Sequence, residues 1–341
     1  MTDTAADGST DAGADGSPAV SAVFFGSGSF AVPILDALVG VPGVRVEAVV
    51  SAPDRPVGRK AIVSPTPVTA RARELGLPVL QPVRVRREES VAALRELAPD
   101  LVVLADYGQL IPRVLLDLPA RGFLNLHPSA LPRHRGAAPI PATILAGDTK
   151  SAVTLIVVTE EMDAGPVVAV APLAVEPDDT AVTLEARAAS VAAALLRRAL
   201  PEWLAGRLAP RPQGIEGVTL TRPLRREDGR LDPGRSAVAL ERQVRAYHPW
   251  PGSFIETDRT PGGRLIVKKA HVEPSGPGDA GHIGWFGPPS VPYAIQSEHL
   301  YFVTANGRLV LDVMQAAGGR EMEAGEFLRG HPGMRAERSE S

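Results

Sequence analysis

The chain has 341 residues, 36 basic and 39 acidic side chains, a formal net charge of −3 and no cysteine. That length predicts two domains, and 44% hydrophobic against 22% charged residues excludes wholesale disorder. Disulfides, thiolate metal sites and a cysteine nucleophile are excluded together, and no apolar run reaches the ~18–20 residues that span a bilayer.

Residues 1–20 read as a disordered tail, with Asp3, Asp7, Asp11 and Asp15 set among small polar residues and nothing to bury. Without a cationic start or an apolar stretch there, a cytoplasmic protein is expected rather than an exported one. An apolar strand over 19–25 runs into Gly26-Ser27-Gly28-Ser29 and a helix over 31–39, with Pro33 in its first turn where a missing N–H does no harm. A second strand over 44–51 ends at Pro53-Asp54-Arg55-Pro56. Helices are predicted over 67–75, 89–97, 140–145 and 183–203, and strands over 78–80, 101–105, 123–126 and 152–158. Continuously apolar strands alternating with helices predict an α/β domain over 21–205, a parallel sheet covered on both faces.

Residues 206–217, with proline, glycine and no periodicity, read as a linker. Beyond it a helix is predicted over 237–246. Short β-like runs then follow at 264–271, 283–286, 301–304 and 309–313. Their spacing between Gly, Pro and Asn turns suits a small β-barrel or sandwich over 218–335. Gly217 to His271 holds eleven Lys/Arg against six Asp/Glu, and the remainder five against nine. A basic stretch of that kind suits a polyanionic partner or an ordinary solvated face.

Gly26-Ser27-Gly28-Ser29-Phe30-Ala31 nearly matches the dinucleotide fingerprint. The acid expected at the end of the second strand is missing, since Asp54 lies past it between prolines, and a steric role for the turn is favoured. Asn125 and His127 alternate along one strand, so both side chains leave the same face, and Pro128 stops the strand beside them. The carboxyl edge of an open α/β sheet is where ligands bind. An amide donor and an imidazole there can hold a developing oxyanion. Arg133, His134 and Arg135 form a basic loop suited to an anionic substrate or to solvent, and Asp163, in an acidic turn before Ala164-Gly165, can fold back to orient His127.

These segments occur in one order with Tyr107-Gly108-Gln109, Arg135-Gly136-Ala137-Ala138-Pro139 and Pro249-Trp250-Pro251-Gly252. Taken together, they resemble the methionyl-tRNA formyltransferases over nearly everything after the tail. The resemblance implies a Rossmann-like formyltransferase domain followed by an OB-like barrel that meets tRNA. It implies formyl transfer from 10-formyltetrahydrofolate, as co-substrate, to the α-amine of methionyl-initiator tRNA, by a monomeric enzyme needing no metal. Carried over by position, Asn125, His127 and Asp163 are the catalytic trio. Ser129, Ala130, Leu131 and Pro132, with Gly108, Gln109 and Ile111, are the folate contacts. Arg55, Arg59 and Lys60 are the tRNA contacts of the loop following Pro53, a loop poorer in lysine than is usual in the family. Asp106 is an unusual acid for the end of its strand, and Trp250 is expected to be a packing anchor. The alternatives are a formyltransferase acting on a sugar nucleotide or glycinamide ribonucleotide, a nicotinamide oxidoreductase, and a non-catalytic RNA-binding protein.

Overall fold

The computed structural model describes residues 19–57, 62–257, 260–273, 293–296 and 299–331. It divides into two compact units, the first built from residues through Pro139, Lys150–Ala174 and Glu185–Thr221. The second takes Ile140–Thr149, Val175–Leu184 and the chain from Arg222 onward.

The first unit is organised on a seven-stranded sheet. Its order is Val167–Ala174, Lys150–Val157, Phe123–His127, Leu101–Ala105, Val20–Gly26, Val44–Val50 and Val79–Leu80. The last five are parallel, as expected from their continuous apolar character. Lys150–Val157 instead runs antiparallel to Phe123–His127, and Val167–Ala174 antiparallel to Lys150–Val157. That outermost strand was not read from the sequence: its residues are all apolar, but Pro172 within the run argues against a strand except at a sheet edge, which is where it lies. Along Val20–Gly26 successive residues feed opposite faces: Val23 and Phe25 join a core with Val91, Leu94, Val102, Leu104 and Phe123. Thr66 starts the helix Pro67–Glu74 by accepting from the Thr69 amide at 3.1 Å, with Pro67 in the first turn.

The Gly26–Ser29 turn has a steric explanation. A Cβ on Gly26 would lie 2.9 Å from the Ala105 carbonyl and 2.9 Å from Ala31 Cβ, and one on Gly28 would lie 1.8 Å from Asp106 Oδ2 and force that carboxylate aside. Ser27 N donates to the Asp106 carbonyl at 3.0 Å, tying the turn to the end of Leu101–Ala105. The chain's own carboxylate stands where an incoming phosphate would meet like charge.

The second unit carries an antiparallel sheet in the order Ser253–Glu256, Arg264–Glu273, Arg308–Ala316, His299–Val303, Tyr293–Gln296, with Glu321–Glu323 pairing Arg308–Ala316. Leu240 and Val244 of the helix Ala237–Ala246 pack with Leu265, Val267, Phe302, Leu311 and Phe327 to form its core. Ser236 caps that helix by accepting from the Ala239 amide at 3.2 Å. The strand expected at 283–286 lies outside the described residues. Trp250 is 57% exposed, so the packing-anchor expectation is corrected. Among the described residues no helix is long and apolar enough to cross a membrane.

Candidate active site

The strand Phe123–His127 is buried along its whole length and sits between a parallel and an antiparallel neighbour. Asn125 lies opposite Ile156 and His127 opposite Thr154. The chain then turns back on itself. Ser129 N donates to His127 O at 2.9 Å, Ser129 Oγ donates to Arg133 O at 2.7 Å, and Thr154 Oγ1 donates to Ser129 O at 2.7 Å. The Leu131–Pro132 peptide within this turn is cis. The return brings the His134 carbonyl to the imidazole, and His127 Nε2 donates to it at 2.9 Å.

Asp163 comes from the separate turn after Lys150–Val157, in the left-handed region at φ +51°. Its Oδ1 accepts from Asn125 Nδ2 at 3.1 Å, its Oδ2 accepts from Gly136 N at 2.9 Å, and the same Oδ2 stands 3.6 Å from His127 Nδ1. The three side chains are thus joined at the carboxyl edge of the sheet, with His127 and Asp163 only 6% and 14% exposed. Gly136 is required there. Its φ is +106°, and a Cβ would fall 2.2 Å from the Thr221 carbonyl across the short pairing of Arg135–Gly136 with Leu220–Thr221.

The arrangement can do three things chemically. A carboxylate that receives two N–H donors is held in one orientation as a proton acceptor or orienting group. An amide carries two N–H bonds, so Asn125 keeps one beyond that given to Asp163. The imidazole, with Nε2 donating to a carbonyl and Nδ1 turned to a carboxylate, has a fixed ring plane.

The remaining expected residues fall into three groups. Gly108 is exposed with open space about its Cα, while Ile111 is buried in the core and the Gln109 amide is spent internally, accepting from Val85 N at 2.9 Å and donating to Pro82 O at 3.3 Å. Ser129 is fully buried with its hydroxyl committed to Arg133 O, and Ala130, Leu131 and Pro132 are half-buried along the same turn. Arg55 is exposed on a short hairpin of Arg55–Val57 with Ile62–Ser64, whereas Arg59 and Lys60 lie outside the described residues. Arg135 of the basic loop is not free for an anion: it binds Gln213 Oε1 at 2.9 and 3.1 Å and faces Glu161 at 3.6 Å. Burial pushes the Tyr107 hydroxyl up to about 12. Among the described residues no cluster of three or more His, Asp or Glu is placed to hold a metal ion.

Sequence reasoning missed the contribution of residues 211–221. Gln213, Thr219 and Thr221 bond to the loops carrying His134, Arg135 and Asp163. Their only signal was three hydrogen-bonding side chains in a stretch otherwise typical of a tether.

Residues 20–200 match the formyl transferase family and residues 223–332 the formyl transferase C-terminal domain. The chain is 40% identical over 309 residues to a methionyl-tRNA formyltransferase of Myxococcus xanthus, covering 91% of this chain and 94% of the relative. It is 42% identical over 318 residues to one from Thermus thermophilus, covering 92% and 97%. Among solved structures, an N-formyltransferase from Helicobacter canadensis in complex with folinic acid and dTDP-3-aminofucose superposes with a TM-score of 0.62. Its identity is 14%, over 86% of this chain and 98% of that one, a likeness of fold alone. The chain belongs to the formyltransferase family, in the branch of the methionyl-tRNA formyltransferases.

Proposed function

We propose that this protein transfers the formyl group of 10-formyltetrahydrofolate to the α-amine of methionyl-initiator tRNA. The observation that carries the reading is the joining of Asn125, His127 and Asp163 at the sheet edge, in a chain 40% identical over 91% of its length to a methionyl-tRNA formyltransferase.

The amine attacks only when neutral, and a free α-amine has a reference pKa of about 7.7–8.0. Asp163 receives its proton, directly or through a water. As the formyl carbonyl gathers negative charge, the second N–H of Asn125 donates to it. His127 joins by exchanging its bond to the His134 carbonyl for one to the developing oxyanion. Collapse of the tetrahedral adduct then breaks the bond from the formyl carbon to N10 of the co-substrate, and the proton taken from the amine passes to that nitrogen, releasing tetrahydrofolate.

The chain's own groups suit a folate at the level of backbone more than side chain. Gly108 leaves open space for a flat ring to approach, whereas Ser129 and Gln109 already have internal partners. Ser129 to Pro132 therefore serve as a shaped wall, and Gly108, Gln109 and Ile111 as the segment facing the pterin. Arg55, with Arg59 and Lys60, addresses the acceptor end of the tRNA.

Purified protein is expected to formylate methionyl-initiator tRNA, and methionyl-elongator tRNA poorly, with 10-formyltetrahydrofolate as donor. Equal rates on both tRNAs, or transfer only to a sugar nucleotide, would overturn the assignment.

A further inference from the structure

The segment that joins the two halves of the sequence is bonded along its length to the loops of the site. Arg211 and Val167 exchange backbone bonds at 2.7 and 2.8 Å. Thr219 Oγ1 accepts from His134 N at 2.8 Å, and Thr219 O accepts from Arg135 N at 3.0 Å. Thr221 Oγ1 donates to Arg135 O and accepts from Ala138 N, both at 3.0 Å. At the centre lies Gln213. Its Nε2 donates to the carbonyls of Asp163 and Gly165 at 2.7 and 2.8 Å, and its Oε1 accepts from Arg135 Nη2 and Nε at 2.9 and 3.1 Å.

A glutamine is the side chain that meets both demands. Two carbonyls need two N–H donors, and a guanidinium needs an acceptor; glutamate lacks the donors, lysine and arginine lack the acceptor, and methionine lacks both. The backbone it grips is one that does not hold itself: Asp163 is in the left-handed region without being glycine, a conformation that persists where its surroundings impose it. Through Arg135 the same amide also reaches the strand pair that presents Gly136 N to Asp163 Oδ2.

We propose that Gln213 is a positioning residue for the reaction, its amide holding the Asp163 turn and the Arg135–Gly136 strand in the register that aims the Asp163 carboxylate at Asn125 and His127. The proposal rests on the functional reading of Asp163 given above.

The test compares Gln213→Glu and Gln213→Met with the wild-type chain, each also in an Asp163→Asn background, by steady-state formylation of methionyl-initiator tRNA. Hydrogen exchange at the Gly136 amide and the thermal midpoint are followed in parallel. Gln213→Glu keeps the acceptor for Arg135 and sets a carboxylate oxygen against the two carbonyls; Gln213→Met removes both functions. Both are expected to lower kcat by about 10- to 100-fold, the scale of a small misplacement of a reacting group. KM for either substrate should stay within about twofold, as for an interaction used mainly in the transition state. Gly136 exchange should accelerate, and neither substitution should add to the Asp163→Asn loss, since the two residues act as one unit.

Wild-type kcat in Gln213→Glu would overturn the proposal, as would losses that multiply with that of Asp163→Asn. Should Gln213→Met fail to fold, Gln213→Glu decides alone. A wild-type chain that moves no formyl group would remove the reaction assigned above. The positioning role would then stand or fall on Gly136 exchange, and unchanged exchange in a folded variant overturns it.

Discussion

Asn125 and Asp163 stand 38 positions apart in the chain, and the amide nitrogen of the first donates to a carboxylate oxygen of the second at 3.1 Å. That bond consumes one of two N–H groups on Asn125 and orients the other. It also ties the strand Phe123–His127 to the turn after Lys150–Val157, so the two side chains cannot drift independently. Asn125→Ala and His127→Ala should each lower kcat by about 10²–10³, the usual cost of an oxyanion donor. Folate binding, measured by fluorescence titration, should survive in both. Turnover near wild type in either variant would refute its role.

Gly136 is the point where backbone geometry and chemistry meet. With φ at +106° and a Cβ 2.2 Å from the Thr221 carbonyl, alanine there is both strained and sterically blocked. Relief requires parting Arg135–Gly136 from Leu220–Thr221, which withdraws the Gly136 amide from Asp163. Gly136→Ala should lose about 1–3 kcal/mol of stability for the imposed conformation, and more for the clash. The urea midpoint should fall with an unchanged m-value, and kcat should fall with it. A midpoint unmoved by the substitution would mean that the strand pair is not needed to hold the turn.

Much of this was legible in the residues because the relevant signals are local. The alternation of Asn125 and His127 on an apolar strand, and the proline that stops it, suffice to put both side chains at a sheet edge. Tertiary closure was not legible. Nothing near Gln213 announces that its amide will meet the carbonyl of a residue 50 positions away, and proline and glycine in its neighbourhood argue for a tether. The antiparallel run of Lys150–Val157 was hidden for a related reason, since burial on both faces makes its sequence look like that of its parallel neighbours. Asp106 was noticed as out of place, but its partner Gly28 is visible only once two strand ends lie side by side.

Binding of tRNA should show the signature of phosphate contacts. Gly217 to His271 carries eleven Lys/Arg against six Asp/Glu, and each phosphate neutralised releases counterions, so log K should fall linearly with log salt. Arg59→Ala should weaken formylation of initiator tRNA while leaving folate affinity unchanged. A flat salt dependence by filter binding would count against a polyanion meeting this stretch.

The Asp106 carboxyl should make stability depend on pH in the sense opposite to an ordinary salt-bridged acid. Burial raises it above the usual carboxylate value of 3.8, the negative charge of Glu185 adds to the rise, and the Gly28 amide offsets only part of it. Glu185 is itself held nearby by Ser29 Oγ at 2.6 Å. Because the folded-state value lies above the unfolded one, the contribution to stability is complete below the unfolded value. It is lost as pH rises through the folded one. At neutral pH the ionised side chain therefore works against the fold, though only weakly, because Asp106 is an exposed residue and solvent screens most of the cost. Asp106→Asn keeps an oxygen to accept from Gly28 N and gains an amide to face Glu185, so its thermal midpoint should exceed that of the wild type at pH 7. The gap should narrow as pH falls through the folded value and close only below the unfolded value of 3.8, where the wild-type carboxyl is protonated in both states. A variant less stable than wild type at pH 7 would show that the bond from Gly28 to the charged oxygen outweighs the cost of crowding that charge against Glu185.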